Sequence, residues 1–361
     1  MPRKIGTIEI EDIALGAAVL GTGGGGDPYI GKLMAAEAID RFGPVDLIDL
    51  DDLADDDLVI CSAMMGAPTV MVEKIPAGEE FVRAFEAIEA RLGRKARAVM
   101  SAEAGGLNST TPFITAAAMR RPLVDADGMG RAFPELQMVT LTLYGLSATP
   151  MSMADEKGNV VVLDCVDNLW TERLARTATV EMGCTAMIAL YAATGAQLRE
   201  AACRNTISLA QRVGAAIRTA RAQQRDAVTA VLDVTGGFRL FKGKIVDVGR
   251  RTERGFARGH ARLEGLGEHA GRTLEIEFQN EHLVARTDDR VLCSVPDLIC
   301  LVDAESGEPI TTEAMRYGFR VEVLGIPCDP RWRTAAGLEL VGPGYFGYDF
   351  EYVPVEERVQ G

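Results

Sequence analysis

The sequence has little histidine and no closely spaced cysteines. Its three histidines are well separated between residues 260 and 282, and its seven cysteines include no C-x-x-C pair. These patterns contain none of the usual zinc-binding spacings. An odd number of scattered thiols without a disulfide pattern is typical of a reducing compartment, so we expect reduced cysteines and a cytoplasmic location.

Long apolar runs and basic charge are also scarce. The uncharged run over residues 182–198 is interrupted by two glycines and is short for a membrane span, which favours a buried helix. Acidic residues follow the basic N-terminus too early for a secretory signal. The 52 acidic and 38 basic side chains give a net charge of −14, which disfavours nucleic acid or an anionic membrane as a partner.

Apolar residues, by contrast, make up 47% of the 361 residues, which is enough for two domains that each have a hydrophobic core. Between residues 28 and 126 helical and strand patterns alternate, which predicts an α/β fold: a mostly parallel sheet covered on both faces, or three-layer α/β sandwich. We also predict a strand over residues 137–143 and two long helices over residues 171–193 and 197–222.

The pattern changes near residue 230. From there to about residue 325, short alternating runs are separated by turn residues, which predicts an inserted small β-barrel domain. The predicted domains are therefore residues 1–228, 229–325 and a C-terminal segment, 326–361, that returns to the first domain. We expect its aromatic, glycine-rich stretch at residues 342–349 to cap a crevice there.

A glycine-rich loop stands out near the N-terminus. Five of the six residues 21–26 are glycine, and Asp27 with Pro28 predicts a helix start. The loop contains a G-x-G-x-x-G pattern, with Asp46 and Asp49 downstream as candidate ribose-binding acids, so a dinucleotide-binding oxidoreductase is one alternative. However, residues 11–20 have helical rather than strand spacing, and Asp27 would repel a pyrophosphate. A turn that only packs two helices is another alternative.

Small, polar, glycine-rich segments follow three of the predicted strands. They cover residues 65–69, 103–108 and 125–131. Because sites in open α/β sheets lie beyond the carboxyl ends of the strands, we expect these segments and the glycine loop to form one crevice. Its carboxylates would be Glu103, Asp125 and Asp127.

Several stretches together resemble the S-methyl-thiohydantoin desulfurase family, whose members are found beside or fused to hydantoinase and oxoprolinase subunits. They are residues 20–29 (LGTGGGGDPY), 65–69 (MGAPT), 103–108 (EAGGLN), 125–135 (DADGMGRAFPE), 279–281 (QNE), 296–299 (PDLI) and 342–349 (GPGYFGYD). The resemblance implies an α/β sandwich followed by a β-barrel. It also implies hydrolytic removal of sulfur from a cyclic thiohydantoin or its S-methyl form, leaving a hydantoin.

Such a reaction needs a water activated to attack C2, a group that stabilises charge on the ring, and help for the departing thiolate. The predicted catalytic residues are Glu103, Asp125 and Asp127. Asp125 and Asp127 would act as an acid–base pair or share a divalent cation, which is the one cofactor considered. Glu103 is the alternative base.

The predicted substrate-binding residues are Gly23, Gly24, Gly25, Gly26, Asp27, Thr69, Asn108 and Arg131. Backbone N–H groups of the loop would hold the ring, which Asn108 and Thr69 would orient. Arg131 would meet a substrate carboxylate or pair with Glu135, and we favour the pairing.

The expected partners are a small cyclic amide or thioamide substrate, a hydantoinase- or oxoprolinase-type subunit and further copies of this chain. The main alternative function is that of a non-catalytic, accessory subunit of such an enzyme, which uses the crevice only to bind a ligand.

Overall fold

The computed structural model describes residues 2–66, 70, 74, 76–253, 256–287 and 290–360. The predicted substrate-binding residue Thr69 lies outside these ranges. Within them, no helix is both long and apolar enough to cross a membrane.

Strands and helices alternate over the first 235 residues. The strands are β1 (Arg3–Ile5), β2 (Val45–Ile48), β3 (Leu58–Gly66), β4 (Ala98–Ser101), β5 (Leu123–Val124), β6 (Ala126–Asp127), β7 (Met151–Ala154), β8 (Val160–Leu163), β9 (Thr185–Thr194) and β10 (Cys203–Arg204). The helices are α1 (Thr7–Leu20), α2 (Pro28–Phe42), α3 (Glu79–Leu92), α4 (Thr111–Met119), α5 (Thr140–Leu143), α6 (Asn168–Glu181), α7 (Gly195–Ala201), α8 (Thr206–Ala222) and α9 (Ala227–Thr235).

Eight of these strands form one sheet in the order β1-β2-β5-β4-β3-β9-β7-β8, and β6 pairs with β10 separately. Within the sheet, β2 pairs with β5, β5 with β4 and β4 with β3 in parallel. The pairs β1–β2, β3–β9, β9–β7 and β7–β8 are antiparallel. The predicted α/β class is therefore confirmed.

Helices pack on both faces of this sheet. The hydroxyl of Ser62 on β3 lies 2.9 Å from that of Thr115 on α4, and Ser152 on β7 donates to the Ala84 carbonyl of α3. Successive strand residues point to opposite faces. Ala63 accordingly faces the other side, where it lines a cavity together with Glu172 of α6.

The rest of the chain forms a second, antiparallel sheet. Its strands are β11 (Phe238–Glu253), β12 (Phe256–Gly265), β13 (Thr273–Gln279), β14 (Glu281–Arg286), β15 (Val291–Ser294), β16 (Leu298–Asp303) and β17 (Arg320–Ile326). They are ordered β15-β14-β13-β12-β11-β17-β16, and the sheet curls until β14 and β15 contact β16. Helices α10 (Ala335–Val341) and α11 (Val355–Gln360) follow. The exact domain boundaries stay a prediction.

Three sequence-based element assignments are wrong. Residues 137–143 contain the short helix α5 rather than a strand, and the predicted helix 171–193 ends at Glu181, after which β9 begins. Gly183 and Cys184 have φ of 85° and 68°, which a continuing helix does not allow. Strand β9 is buried on both faces, so its unbroken apolar pattern did not distinguish it from a buried helix. The predicted helix 197–222 is divided into α7 and α8 by β10.

The glycine loop connects helix α1 to helix α2, as its sequence predicts. The carboxylate of Asp27 caps α2 by accepting the Tyr29 amide at 2.8 Å. A dinucleotide-binding fingerprint requires a strand before the loop, and here α1 stands in that place. The geometry therefore gives no support to the oxidoreductase alternative.

Helices α1 and α8 approach each other closely through two glycines. A Cβ on Gly214 would lie 1.9 Å from the Asp12 carbonyl oxygen, and one on Gly16 would lie 1.8 Å from that of Ala210. Across the same contact, Arg218 pairs with both carboxylate oxygens of Asp12 at 2.8 Å.

We predict that Gly214→Ala destabilises the fold. The better helix propensity of alanine contributes at most about 1 kcal/mol, whereas forcing two backbones apart costs about 1–3 kcal/mol or more. Urea unfolding should show a net loss of stability. Gly344→Ala is the matched control, since nothing lies within 4 Å of its added methyl group. An unchanged midpoint for Gly214→Ala would contradict the close packing.

Candidate active site

A cavity opens where the eight-stranded sheet, helix α6, the glycine loop and the start of β14 meet. It encloses about 710 Å³, counting its solvent-filled mouth. Apolar side chains form most of its wall, and several carboxylates project into it. It is lined by Gly25, Gly26, Ala63, Met64, Met65, Gly66, Ala102, Glu103, Asn108, Met129, Phe133, Pro134, Glu135, Leu136, Val139, Glu172, Arg176, Ile188, Leu190, Tyr191, Asn280 and Glu281.

Two glycines of the loop reach this cavity. Gly25 and Gly26 have φ of 73° and 83°, which strongly favour glycine. A Cβ on Gly25 would lie 2.5 Å from the Cα of Gly105, so the two segments touch through their backbones. Gly25 also accepts the Leu107 amide at 2.8 Å. The other predicted loop residues, Gly23, Gly24 and Asp27, are not part of the cavity wall.

The same loop joins the two sheets. The His282 amide donates to the Thr22 carbonyl at 2.8 Å, and the Thr312 amide donates to the Gly23 carbonyl at the same distance. Glycine is required here as well, since a Cβ on Gly23 would lie 2.4 Å from the His282 ring. The loop thus fixes the start of β14 beside the carboxyl ends of the first sheet's strands.

Glu103 projects into the cavity and is held by Asn108. The Asn108 amide nitrogen donates to Glu103 Oε1 at 2.6 Å and to the Met64 carbonyl at 3.1 Å, while its oxygen accepts the Met64 amide at 2.8 Å. Asn108 is therefore locked onto β3. Burial raises the pKa of Glu103 to about 7, although Asn108 and the positive charge of Arg131 oppose this rise. This carboxyl exchanges its proton near neutral pH.

A second cavity carboxyl, Glu281, was missed as a site residue. The sequence singled out the stretch 279–281 only as part of the family resemblance. Burial raises the pKa of Glu281 well above its usual range, and the charge of Glu103 raises it further. Its Oε2 has no hydrogen-bond partner in the described part of the chain. The neighbouring charge of Glu103 thus adds to burial in favouring the protonated form of Glu281.

Gly24 brings the glycine loop against Glu281. A Cβ on Gly24 would lie only 2.0 Å from Glu281 Oε1. The loop therefore packs directly on this carboxyl and helps to remove it from water.

The predicted catalytic residues Asp125 and Asp127 face elsewhere, and neither lines the cavity. Both carboxylate oxygens of Asp125 accept from Ser208, one from its amide at 2.9 Å and one from its hydroxyl, which anchors the first turn of α8. Asp127 Oδ1 accepts the amides of Met129 and Gly130 at 2.7 and 2.6 Å. Burial raises the pKa of Asp127 to about 7. These contacts are structural, so a catalytic role for either residue stays a prediction.

The contacts of Asp125 and Asp127 also do not fit the shared divalent cation considered from the sequence. Three of their four carboxylate oxygens already accept hydrogen bonds from the protein. Across the ranges given above, no group of three or more His, Cys, Asp or Glu side chains has a metal-binding arrangement.

Arg131 does not pair with Glu135, so this sequence-based preference is wrong. Its guanidinium is buried and donates to the carbonyls of Pro296 and Asp297 at 2.7 and 2.9 Å, and it lies 4.3 Å from the centre of the Phe133 ring. It therefore links the loop after β6 to the turn before β16 and acts on Glu103 through its charge.

The C-terminal segment contacts the rim of the cavity through Tyr345. Tyr345 donates to the Glu135 carboxylate at 2.8 Å and accepts from Gln137 at 3.2 Å. Helix α6 forms another wall, where Glu172 accepts the Leu136 amide at 3.0 Å and pairs with Arg176. Nothing in the local sequence of α6 indicated these two residues as part of a site.

Fold and site together define a class: an α/β sheet and a curled antiparallel sheet, joined by a glycine loop beside a cavity lined by three buried glutamates, Glu103, Glu172 and Glu281. Two family models match the chain. The S-Me-THD-like N-terminal domain matches residues 8–165, and the S-Me-THD-like C-terminal domain matches residues 166–355. The chain therefore belongs to the S-methyl-thiohydantoin desulfurase family, which is consistent with a thiohydantoin-related function.

A crystal structure of a protein from Chromobacterium violaceum has the same fold. It superposes with a TM-score of 0.81 at 24% sequence identity, over 98% of this chain and 100% of that one. No functionally curated protein matches the chain significantly.

The raised pKa of Glu103 predicts a pH-dependent stability. Between the ordinary glutamate value and about 7 the folded state binds more protons than the unfolded state, so the free energy of unfolding falls as the pH rises through this window. From pH 5 to pH 8, Glu103→Gln should therefore gain stability relative to wild type by up to about 3 kcal/mol. Urea unfolding at each pH measures this. The exposed Glu264→Gln is the control, and parallel profiles for wild type and Glu103→Gln would contradict the assignment.

Proposed function

We propose that the cavity binds a cyclic thiohydantoin, or its S-methyl form, and hydrolyses it to a hydantoin. The observation that carries this proposal is the placement of Glu103 and Glu281 in one cavity, where burial raises the pKa of Glu103 to about 7 and that of Glu281 well above its usual range. Family membership supports the substrate class. The apolar wall suits a small, nearly planar ring and excludes most water from it.

Glu103 is the proposed general base. A carboxyl with a pKa of about 7 is half ionised at neutral pH, which matches the operating range of an efficient base. Asn108 is a positioning residue, because its three hydrogen bonds hold Glu103 Oε1 at a fixed place on the cavity wall. A water between Glu103 and the substrate would be activated to attack C2.

Glu281 is the proposed acid. In the first step, the water oxygen bonds to C2 of the S-methyl substrate, one water proton passes to Glu103, and Glu281 protonates the ring nitrogen that takes up the C=N electron pair. In the second step the C2–S bond breaks. The thiolate leaves with the proton from Glu103, and the new hydroxyl returns its proton to Glu281 as the carbonyl forms.

The products are the hydantoin and methanethiol, and both glutamates end in their starting states. An unmethylated thiohydantoin that reacts as its C=N–SH tautomer would follow the same steps and release hydrogen sulfide. The amides of Gly25 and Gly26, which donate to no atom of the described residues, are the proposed donors to a carbonyl oxygen attached to the ring. Preorganised backbone donors of this kind stabilise developing negative charge.

We predict that Glu103→Gln and Glu281→Gln each lower kcat/KM for an S-methyl thiohydantoin by about 10²–10⁴-fold, because each removes one proton transfer. A thiol-reactive dye measures the released methanethiol. Glu264→Gln, on the exposed face of the second sheet, should keep wild-type activity. In wild type the rate should rise with pH near 7, because Glu103 ionises there. This rise should be absent from the pH–rate profile of Glu103→Gln.

Near-normal turnover by both variants would contradict the assigned roles. A different result would distinguish the alternative, non-catalytic function from the proposed hydrolysis. If the purified chain binds thiohydantoins or hydantoins in a calorimetric titration but converts none of them, it is a non-catalytic subunit.

A further inference from the structure

Exposed apolar side chains are concentrated in one short segment. Of the sixteen large apolar residues exposed in the described ranges, seven lie between residues 160 and 180. They are Val160, Val162, Val166, Leu169, Trp170, Leu174 and Val180. Isolated exposed apolar residues are normal, whereas a contiguous apolar patch indicates an interaction surface.

The patch includes the open edge of the first sheet. Strand β8 is last in the sheet order and pairs only with β7 among the described strands. Val160 and Val162 pair with Ala154 and Ser152, so they lie on the α3 face of the sheet, each more than 40% exposed. An apolar edge strand that is neither covered nor charged readily pairs with another strand.

Helix α6 supplies the other half of the patch on the opposite face. Leu169, Trp170 and Leu174 are 40%, 47% and 45% exposed. The buried side of the same helix carries Glu172 and Arg176, which line the cavity. One helix thus connects the apolar surface with the site.

We propose that this chain forms a symmetric dimer in which β8 pairs antiparallel with β8 of a second copy. The two-fold axis of such a pair is perpendicular to the sheet, so it leaves each side chain on its own face. Directly paired side chains of antiparallel strands lie on the same face, and one residue must therefore pair with its own copy across the axis. If Val161 is that residue, each Val160 lies opposite the partner's Val162. The exposed valines then cover one another, and the two α6 surfaces approach on the other face.

Charge and size favour a second copy as the occupant. When this register is continued beyond the strand, Lys157, which is exposed and has no ion pair with a described residue, lies level with residue 165 of the second copy, two residues before the exposed Asp167 of that copy. Opposite charges therefore lie near each other twice by symmetry. Thirteen residues between 157 and 180 are exposed, which is about half of the roughly 20–30 residues per side of a standard interface.

Sedimentation velocity tests the proposal. The wild-type chain should sediment as a dimer, with twice the 38.8 kDa mass of one chain. Val162→Lys and Trp170→Glu should each shift it to a monomer with the circular dichroism of wild type. Val359→Lys is the matched control, because Val359 is 41% exposed, against 42% for Val162, and lies in α11. It should remain a dimer.

A cross-link tests the register. Facing Cα atoms in an antiparallel pair lie about 4.5–5.5 Å apart, within the range of a disulfide. Val161→Cys should therefore give a disulfide-linked dimer on mild oxidation, and Val359→Cys should not.

Three results would overturn the proposal. They are a monomeric wild type at tens of micromolar protein, a dimer that persists in both Val162→Lys and Trp170→Glu, and no cross-link in Val161→Cys. Binding of a different protein to the patch of a monomeric chain would identify another occupant. None of these measurements depends on the proposed desulfuration.

Discussion

The close backbone approach of the glycine loop to both sheets is the constraint on which the site depends. Gly25 touches Gly105 at the end of a strand in the first sheet, and Gly24 packs against Glu281 at the start of β14. A side chain at either glycine would separate these segments. The contact brings carboxyls from two different sheets into one cavity and keeps them away from bulk water.

Removal from water sets the chemistry of these carboxyls. Burial disfavours the charged form, so both pKa values rise, and the charge of Glu103 adds to the rise at Glu281. Asn108 and the buried cation Arg131 oppose the rise at Glu103, which therefore titrates near neutrality. The environments of the two groups thus act differently on their protons, as those of an acid and a base in one reaction must.

Local patterns in the sequence predicted much of the fold. The sequence predicted the helices around the glycine loop, the Asp27 cap, the central strands and the position of Glu103 in the crevice. Each of these features has a signal within a few residues. Strand β9 could not, since a segment buried on both faces has no distinguishing period. Glu281 could not, since only the tertiary contact with Gly24 places it in the cavity. Asp125 and Asp127 follow a strand end as expected, but bonds to Ser208 and to nearby amides turn them away.

The most direct test of the account is the protonation of the cavity carboxyls. Infrared spectra of wild type minus Glu281→Gln should show the C=O band of a protonated carboxyl at pH 5.5, where an ordinary glutamate is ionised. Spectra of wild type minus Glu103→Gln should show such a band that disappears as the pH rises through about 7. Difference spectra in which both carboxyls are already ionised at pH 5.5 would contradict the shared, buried site.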